Sequence, residues 1–477
     1  MAQANDHVLT VAQMQAAEQA LFDAGTPVDT LMERAGRGAA EYVWRVAAGR
    51  PVTVLCGPGN NGGDGYVIAE TLRERGLAVR AVAPMEPKTD AARNARDRYR
   101  GEISATGAGA KGAVLVDCLF GSGLARGLSD EFVTLLHGLA SRHHHCIAID
   151  LPSGVQSDSG AVLSALPRYD LTLALGAWKW AHYLMPAAQH MGALRLVDIG
   201  VDAGAQRDFT TPRVLSKPHL AAPGRSAHKY TRGLVAVVAG AMPGAALLAA
   251  RAAQHGGAGY VKLLTDGAEV AVPADLVVDS RPLAEALADS RIASILIGPG
   301  LGRDALAVRR LQQVLCLERE VPTVFDADAL MLVGPGRWPA PGDRPIILTP
   351  HAGELATLAK AFGTPPNTGP FADKVHHAIE LDWLTDATIV AKGSDTVVFH
   401  RDGGMVVAPP VACWLSTAGT GDVLAGLIGS RLATGAVPVS AVAEALWLHG
   451  EAARLAGPVF SASGLADMVP AAYAACL

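Results

Sequence analysis

The sequence predicts an α/β protein of two domains, each a largely parallel sheet with helices on both faces. Three observations predict it. Short runs of valine, isoleucine and leucine alternate with longer helical stretches, which is how strands buried on both faces read. Segments rich in glycine and aspartate follow these runs one after another, as loops on one edge of a sheet do. Residues 200–224 break the pattern with Pro212, Pro218 and Pro223 and no sustained apolar period, which marks a connection between domains. At 477 residues, half of them hydrophobic, the chain can bury two such cores. The expected domains are residues 1–212 and 213–477.

The first domain should open with helix over residues 8–46. Thr10 and Gln13 have the spacing of a capping box, and Met14, Ala17 and Leu21 recur at helical period. Strands are expected at 52–55, 77–82, 113–116, 146–149 and 171–175, with a helix over 66–75 that Gly76 ends. His143, His144 and His145 read as a polar connection before the fourth strand, because three adjacent histidines in a regular element cannot face one ion. The second domain repeats the alternation. Strands are expected at 234–239, 260–264, 292–297, 322–325, 346–348 and 388–391, and helices at 244–255 and 423–430.

Composition narrows the function classes. A net charge of −5 argues against a non-specific nucleic-acid binder. No apolar stretch is long enough to span a membrane, and the opening MAQANDHVLT has no basic segment followed by an apolar run. The six cysteines form no CxxC pair. A reduced, cytoplasmic protein is expected, with no nucleic-acid or membrane partner.

Four motifs follow the strands of the first domain: Gly57–Gly65 (GPGNNGGDG), Asp117–Gly127 (DCLFGSGLARG), Asp150–Gly154 (DLPSG) and Gly176–Lys179 (GAWK). Motifs on one strand-end edge describe one site. A glycine loop running into a helix N-terminus exposes N–H groups to an anion, and Asn60, Asn61 and Asp64 add donors and acceptors. The spacing is neither GxGxxG nor a P-loop. A tight structural turn explains one or two of the glycines but not the whole motif. Asn61, Asp117, Asp150 and Ser153 offer hard oxygen atoms for a monovalent or hard divalent cation. Asp150 and Lys179 are candidates for proton transfer, the alternative for Lys179 being a surface lysine.

In the second domain, Gly419, Thr420 and Gly421 of the AGTGD turn present N–H groups at a helix N-terminus, suited to a phosphoryl group. Asp422 then stands ready to take a proton from a substrate hydroxyl. A plain helix cap is the simpler reading of that turn. Lys392, Gly393, Ser394, Asp395 and Thr396 could hold a nucleotide at an adjacent strand end. His351 is either a ligand contact or a cap on the loop after Pro350.

The first-domain motifs together resemble NAD(P)H-hydrate epimerase over roughly residues 8–202. GPGLG, DADAL, LTPHAGE, KGSDT and AGTGD resemble the ADP/ATP-dependent NAD(P)H-hydrate dehydratases of the ribokinase-like superfamily over roughly 216–477. The resemblance implies a Rossmann-like three-layer sandwich followed by a ribokinase-like one. It implies repair of hydrated NADH and NADPH: epimerisation of the R and S hydrates, then nucleotide-dependent dehydration of the S form. Substrate contacts would fall on Asn60, Asn61, Gly62, Gly63, Asp64, Gly121, Ser122, Gly123, Leu124, Ala125, Arg126, Gly127 and Asp150. In the second domain they would fall on Ala245, Gly300, His351 and Asp422. Nucleotide would meet Lys392–Thr396 and Gly421, with ADP or ATP as co-substrate and Mg2+ beside it. K+ would sit at Asn61, Asp117 and Ser153. A homo-oligomer is expected. Two departures stand out: PHAGE where the family often has Pro-His-Pro-Gly-Glu, and Val411-Ala412-Cys413-Trp414-Leu415-Ser416 where it often has Gly-Asn-x-Gly-Met-Ala. A small-molecule kinase joined to a non-catalytic binding module is the alternative.

Overall fold

The computed structural model describes residues 6–206, 211–338 and 344–477. The chain divides into two compact units, Met1–Arg213 with Pro370–Ala372, and Val214–Gly369 with Asp373–Leu477.

The first unit is built on a seven-stranded sheet. Its order is Glu102–Ser104, Val79–Val82, Val52–Cys56, Gly112–Cys118, His143–Ile149, Leu171–Leu175 and Ala193–Val197. Every neighbouring pair is parallel. Side chains alternate across it as the pleat demands. Val54, Cys56, Val114 and Val116 join the core under helices Val28–Ala47 and Asn60–Glu74. Leu55, Leu115 and Ala148 join the core under helix Asp130–Ala140 on the other face. The order of strands reverses between Val52–Cys56 and Gly112–Cys118, so a crevice opens beyond their carboxyl ends.

Three expectations are corrected here. Residues 8–46 are not continuous helix. A two-residue strand, Val8–Leu9, pairs with Trp178–Lys179, and helices Val11–Asp23 and Val28–Ala47 follow. The Thr10–Gln13 capping box does start the first of these helices. His143–His145 are not a connection but the first half of strand His143–Ile149. There His143 is bonded through Nδ1 to the Leu139 carbonyl at 2.7 Å and through Nε2 to the Thr53 hydroxyl at 2.8 Å. The third correction concerns the glycine motif. Its helix starts at Asn60, not Tyr66, with Gly59 as N-cap, so Asn60–Gly65 are helical turns rather than a loop.

In the second unit the strands run Gly404–Val407, Val397–His400, Thr388–Ala391, Ile346–Leu348, Thr323–Phe325, Ile292–Ile297, Leu234–Val238, Tyr260–Leu264, Val277–Asp279. All pair in parallel except Val397–His400, which is antiparallel to both neighbours. Val235, Val237, Leu296, Val324 and Ile347 face a core shared with helices Pro243–His255 and Thr420–Ala433. The alternate residues Ile295, Ile297, Phe325 and Leu348 are equally buried, so both faces are covered.

Candidate active sites

At the crevice of the first unit lies a cavity of about 860 Å³. Most of the expected residues line it: Asn60, Asn61, Asp64, Gly121, Ser122, Gly123, Leu124, Ala125, Arg126, Asp150 and Lys179. Gly62, Gly63 and Gly127 are not on its wall. Their hydrogens face the protein itself. A β-carbon at Gly62 would fall 1.9 Å from the Gly57 carbonyl oxygen, and one at Gly57 would fall 1.7 Å from that of Leu119. One at Gly65 would strike Cys56 Sγ and Cys118 Cβ at 2.9 Å. The motif is glycine-rich chiefly because a helix start, a turn and two strand ends pack backbone to backbone. Gly59 alone of its glycines looks onto open space.

Lys179 is not a surface lysine. It is 1% exposed, and its Nζ donates to Asp150 Oδ1 at 2.5 Å and to the Leu175 carbonyl at 2.6 Å. Asp150 holds a left-handed conformation, φ 63°, which is strained for a residue with a β-carbon. Several bonds over-determine it. Its N–H donates to Leu173 O at 2.7 Å, and its Oδ2 accepts from the Ser122 N–H at 3.2 Å. Burial pushes the Asp150 carboxyl up, but the Lys179 ammonium and these contacts outweigh burial and hold it below the ordinary range. His182, which sequence reasoning missed, ties the pair together. Its Nδ1 accepts the Lys179 N–H and its Nε2–H donates to the Asp150 carbonyl, both at 2.8 Å. Burial, with Lys179 beside it, pushes this imidazole down to about 4 and keeps it neutral.

The expected cation ligands fall in one neighbourhood. Ser153 Oγ–H donates to Asp117 Oδ1 at 2.7 Å and accepts from the Phe120 N–H at 2.8 Å. Asn61 packs against the next residue, since a β-carbon on Gly121 would lie 3.2 Å from its Cγ. Both Asn61 side-chain polar atoms are buried without a partner, an arrangement that normally has an explanation. Asp117 is fully engaged, accepting from Leu119 N–H, Ser153 N–H, Ser153 Oγ and, at 2.6 Å, the Tyr169 hydroxyl. Burial still pushes its carboxyl up. The Ser153 hydroxyl has a second acceptor in the Phe120 carbonyl at 3.1 Å. It can therefore turn its proton away and free an Asp117 lone pair. The oxygen set fits a hard cation on those grounds.

In the second unit the AGTGD turn delivers Asp422 into the first turn of helix Thr420–Ala433, with Gly419 as a left-handed N-cap. The helix begins three residues before the expected start. Asp422 is half-buried, and burial, with Asp326 adding to it and Lys392 opposing it, pushes its carboxyl up to about 7. The Lys392 ammonium has a protein partner. Its Nζ donates to Asp326 Oδ1 at 2.7 Å, an oxygen that also accepts from Thr349 Oγ1 at 2.6 Å. A β-carbon at Gly421 would stand 3.6 Å from that Nζ, so Lys392 faces the helix start. Asp326 and Thr349, which directly follow strands Thr323–Phe325 and Ile346–Leu348, were not among the expected residues, nor was Glu354 in the first turn of helix Ala352–Phe362.

The other expected residues fall as follows. His351 caps helix Ala352–Phe362, its Nδ1 accepting from the Gly353 and Glu354 N–H groups at 3.0 and 3.3 Å. Of the KGSDT loop, Gly393 and Ser394 are exposed, Asp395 pairs with Lys374, and the Thr396 hydroxyl closes the loop on Gly393. Ala245 and Gly300 meet through Met242, whose carbonyl accepts the Ala245 N–H at 3.3 Å and whose N–H donates to Gly300 O at 2.9 Å. Gly419 packs on Leu248, one turn along the same helix from Ala245. The departing segment forms a short turn at Cys413–Leu415 with Trp414 exposed. The Leu415 carbonyl accepts the Thr420 hydroxyl at 2.8 Å.

Two family models match the chain: one described as YjeF-related protein N-terminus over residues 28–181, the other as NAD(P)H-hydrate dehydratase over 235–469. The bifunctional NAD(P)H-hydrate repair enzyme Nnr of Salinibacter ruber is 34% identical, covering 97% of this chain and 95% of its own. That of Mycobacterium leprae is 32% identical, covering 94% of each. A crystal structure of ADP/ATP-dependent NAD(P)H-hydrate dehydratase from Bacillus subtilis, co-crystallised with ATP/Mg2+, is 27% identical over 54% of this chain and 95% of that one, with a TM-score of 0.46. The likeness to curated relatives runs through both halves, and the chain belongs to the family of bifunctional NAD(P)H-hydrate repair enzymes.

Proposed function

We propose that this chain returns hydrated NADH and NADPH to use. Residues 1–212 form the NAD(P)H-hydrate epimerase domain, which interconverts the R and S hydrates. Residues 213–477 form the dehydratase domain, which removes water from the S hydrate at the expense of ADP or ATP. The observation that carries this reading is the likeness across both halves to a bifunctional repair enzyme, 34% identical and covering 97% of the chain. The two half-sites support it, each with an ionisable aspartate at a strand-end edge.

In the first domain the hydrate occupies the 860 Å³ cavity, its phosphates near Asn60 and Ser122–Arg126. Asp150 and Lys179 face its reacting ring. Asn61, Asp117 and Ser153 would hold K+, which would offset the charge of the buried Asp117 carboxylate. In the second domain Asp422 takes the proton of the hydrate hydroxyl. A carboxyl held at about 7 is well matched to proton transfer at neutral pH. The N–H groups of Gly421 and Asp422 at the helix start receive the phosphoryl group, and Lys392 faces the same point. Magnesium bound with the nucleotide would neutralise charge on the phosphates. Among the described residues no three His, Cys, Asp or Glu side chains surround an ion position, so magnesium is expected to arrive with the nucleotide, steadied by one or two carboxylates such as Asp326 and Glu354. Phosphorylation makes the hydroxyl a leaving group, and elimination restores the reduced ring.

No helix among the described residues is long and apolar enough to cross a membrane. We place the enzyme in the cytoplasm, acting on small molecules as a homo-oligomer.

The test is to supply each hydrate epimer with ADP or ATP and follow the return of reduced-nicotinamide absorbance. Both epimers should be consumed. A stable phosphorylated product with no return of absorbance would overturn the dehydratase reading in favour of a small-molecule kinase. Consumption of the S hydrate alone, with no faster exchange of epimers than in buffer, would overturn the epimerase reading.

A further inference from the structure

We propose that Glu18 is a catalytic residue of the first site, the carboxyl that passes a proton to and from the reacting oxygen of the hydrate. The inference rests on the epimerase reading and adds a residue to it. Helix Val11–Asp23 turns Val11, Met14, Gln15, Glu18 and Phe22 toward the cavity, spacings of three and four that make one helix face. That face is apolar apart from Gln15 and Glu18, which suits packing against a flat ring, and Glu18 is its one ionisable group. Among the described residues the Glu18 side chain makes no hydrogen bond and no ion pair. A partly buried carboxyl on a cavity wall with no protein partner is available to a ligand.

The other charged groups on the wall are Asp64, Lys88, Arg126, Asp150 and Lys179. Asp150 is poorly placed to give a proton. It is bonded to the Lys179 ammonium and to the Ser122 N–H, contacts that keep it ionised. Glu18 is in the opposite state. Burial pushes its carboxyl up, Lys179 opposes this and Asp150 adds to it, so it retains its proton more readily than a free glutamate. One wall therefore carries a carboxylate held low by its lysine and a carboxyl pushed up by burial.

Epimerisation needs both. Water added to an enamine leaves its hydroxyl on the carbon bonded to nitrogen. The nitrogen lone pair forms a C=N bond as the C–O bond breaks, and Glu18 gives its proton to the departing oxygen, which leaves as water. The planar cationic carbon is then stabilised by the Asp150 carboxylate. Water adds back to the opposite face, its surplus proton returns to Glu18, and the bonding pair of C=N returns to nitrogen. One water leaves and one enters, and Glu18 ends as it began.

The experiment measures exchange of R and S hydrates by Glu18→Gln and Glu18→Asp across pH, with dehydration of the S hydrate by the same molecules as the check on folding. Glu18→Gln should lower kcat for exchange at least about 100-fold, with KM changed little and S-hydrate dehydration intact. In the unaltered chain kcat should fall on the alkaline side, as Glu18 loses its proton. Glu18→Asp should keep that fall and Glu18→Gln should lose it. Unchanged kcat in Glu18→Gln, a defect confined to KM, or the same alkaline fall in its residual exchange would overturn the role. If Glu18→Gln loses dehydration as well, Glu18→Asp decides, and an unshifted kcat and pH profile there would overturn the role. Absence of exchange in the unaltered chain would instead overturn the epimerase reading, and the role with it.

Discussion

Asp150 and Asp422 are both half-shielded or buried aspartates at the working edge of a parallel sheet, each with a lysine near, yet their carboxyls shift in opposite directions. The cause is where the lysine bonds. Lys179 bonds Asp150 directly at 2.5 Å, and Asp150 is held below the ordinary range. Lys392 bonds Asp326 at 2.7 Å instead. Asp422 is left to burial and to the added charge of Asp326, and rises to about 7. One arrangement makes a permanent anion, the other a base that gains and loses its proton near neutrality. The same residue type therefore takes two states, set by which carboxylate the lysine bonds.

That contrast can be broken at several points. The largest effect is expected from Asp422→Asn, which should lower nucleotide-dependent dehydration by roughly 10²–10⁴-fold while leaving epimer exchange at its normal rate. Loss of both activities would show that the two sites are not independent. Lys179→Met comes next. It strands the Asp150 carboxylate in a buried position and should destabilise the first unit by about 3–5 kcal/mol, read by chemical denaturation, with epimer exchange abolished. A neutral result would mean that Asp150 is not held as an anion by this partner.

The pH dependence sharpens the comparison. In the role proposed for it Asp422 works ionised, so dehydration should rise with pH through about 7 and level off above. Lys392→Met removes the opposing positive charge and should move that rise to higher pH. The stability effect has the reverse sign. A raised carboxyl favours the folded state while protonated, and this contribution is lost as pH climbs from the unfolded value through about 7. Asp422→Asn should escape that loss, so its melting temperature should exceed that of the unaltered chain most clearly above pH 7. The smallest effect belongs to Tyr169→Phe. It takes one of four donors from Asp117 and should weaken the first unit by about 1.5–3 kcal/mol, measured by thermal unfolding with and without potassium.

Much of this was legible in the sequence. The apolar runs located most parallel strands to within a residue or two, because strands buried on both faces carry an unbroken hydrophobic signal. The motif residues expected together at the first site do meet, as Asp150, Lys179 and Asn61 show. What was not legible was which partner each charged group would choose. Nothing local says that Lys392 bonds Asp326, since the two are 66 residues apart in sequence. His182 was hidden for the same reason, as its bond to the Asp150 carbonyl depends on a turn that only the fold creates. His143–His145 misled because three polar residues open a strand whose first half lies toward the sheet's rim. The antiparallel strands Val397–His400 and Gly404–Val407 and the two helices Pro438–Ala456 and Ala462–Ala474 were passed over.

The crowding at Gly57 and Gly62 has a practical consequence. With carbonyl oxygens under 2 Å from where a side chain would begin, these positions admit no variation, and diversity in a mutant library would be wasted on them. Gly123 has nothing within 4 Å of the same point and belongs to the cavity rim. An engineer seeking a repair enzyme with altered cofactor preference would leave the first motif alone and randomise the rim around Ser122–Arg126, where added atoms meet solvent and ligand rather than main chain.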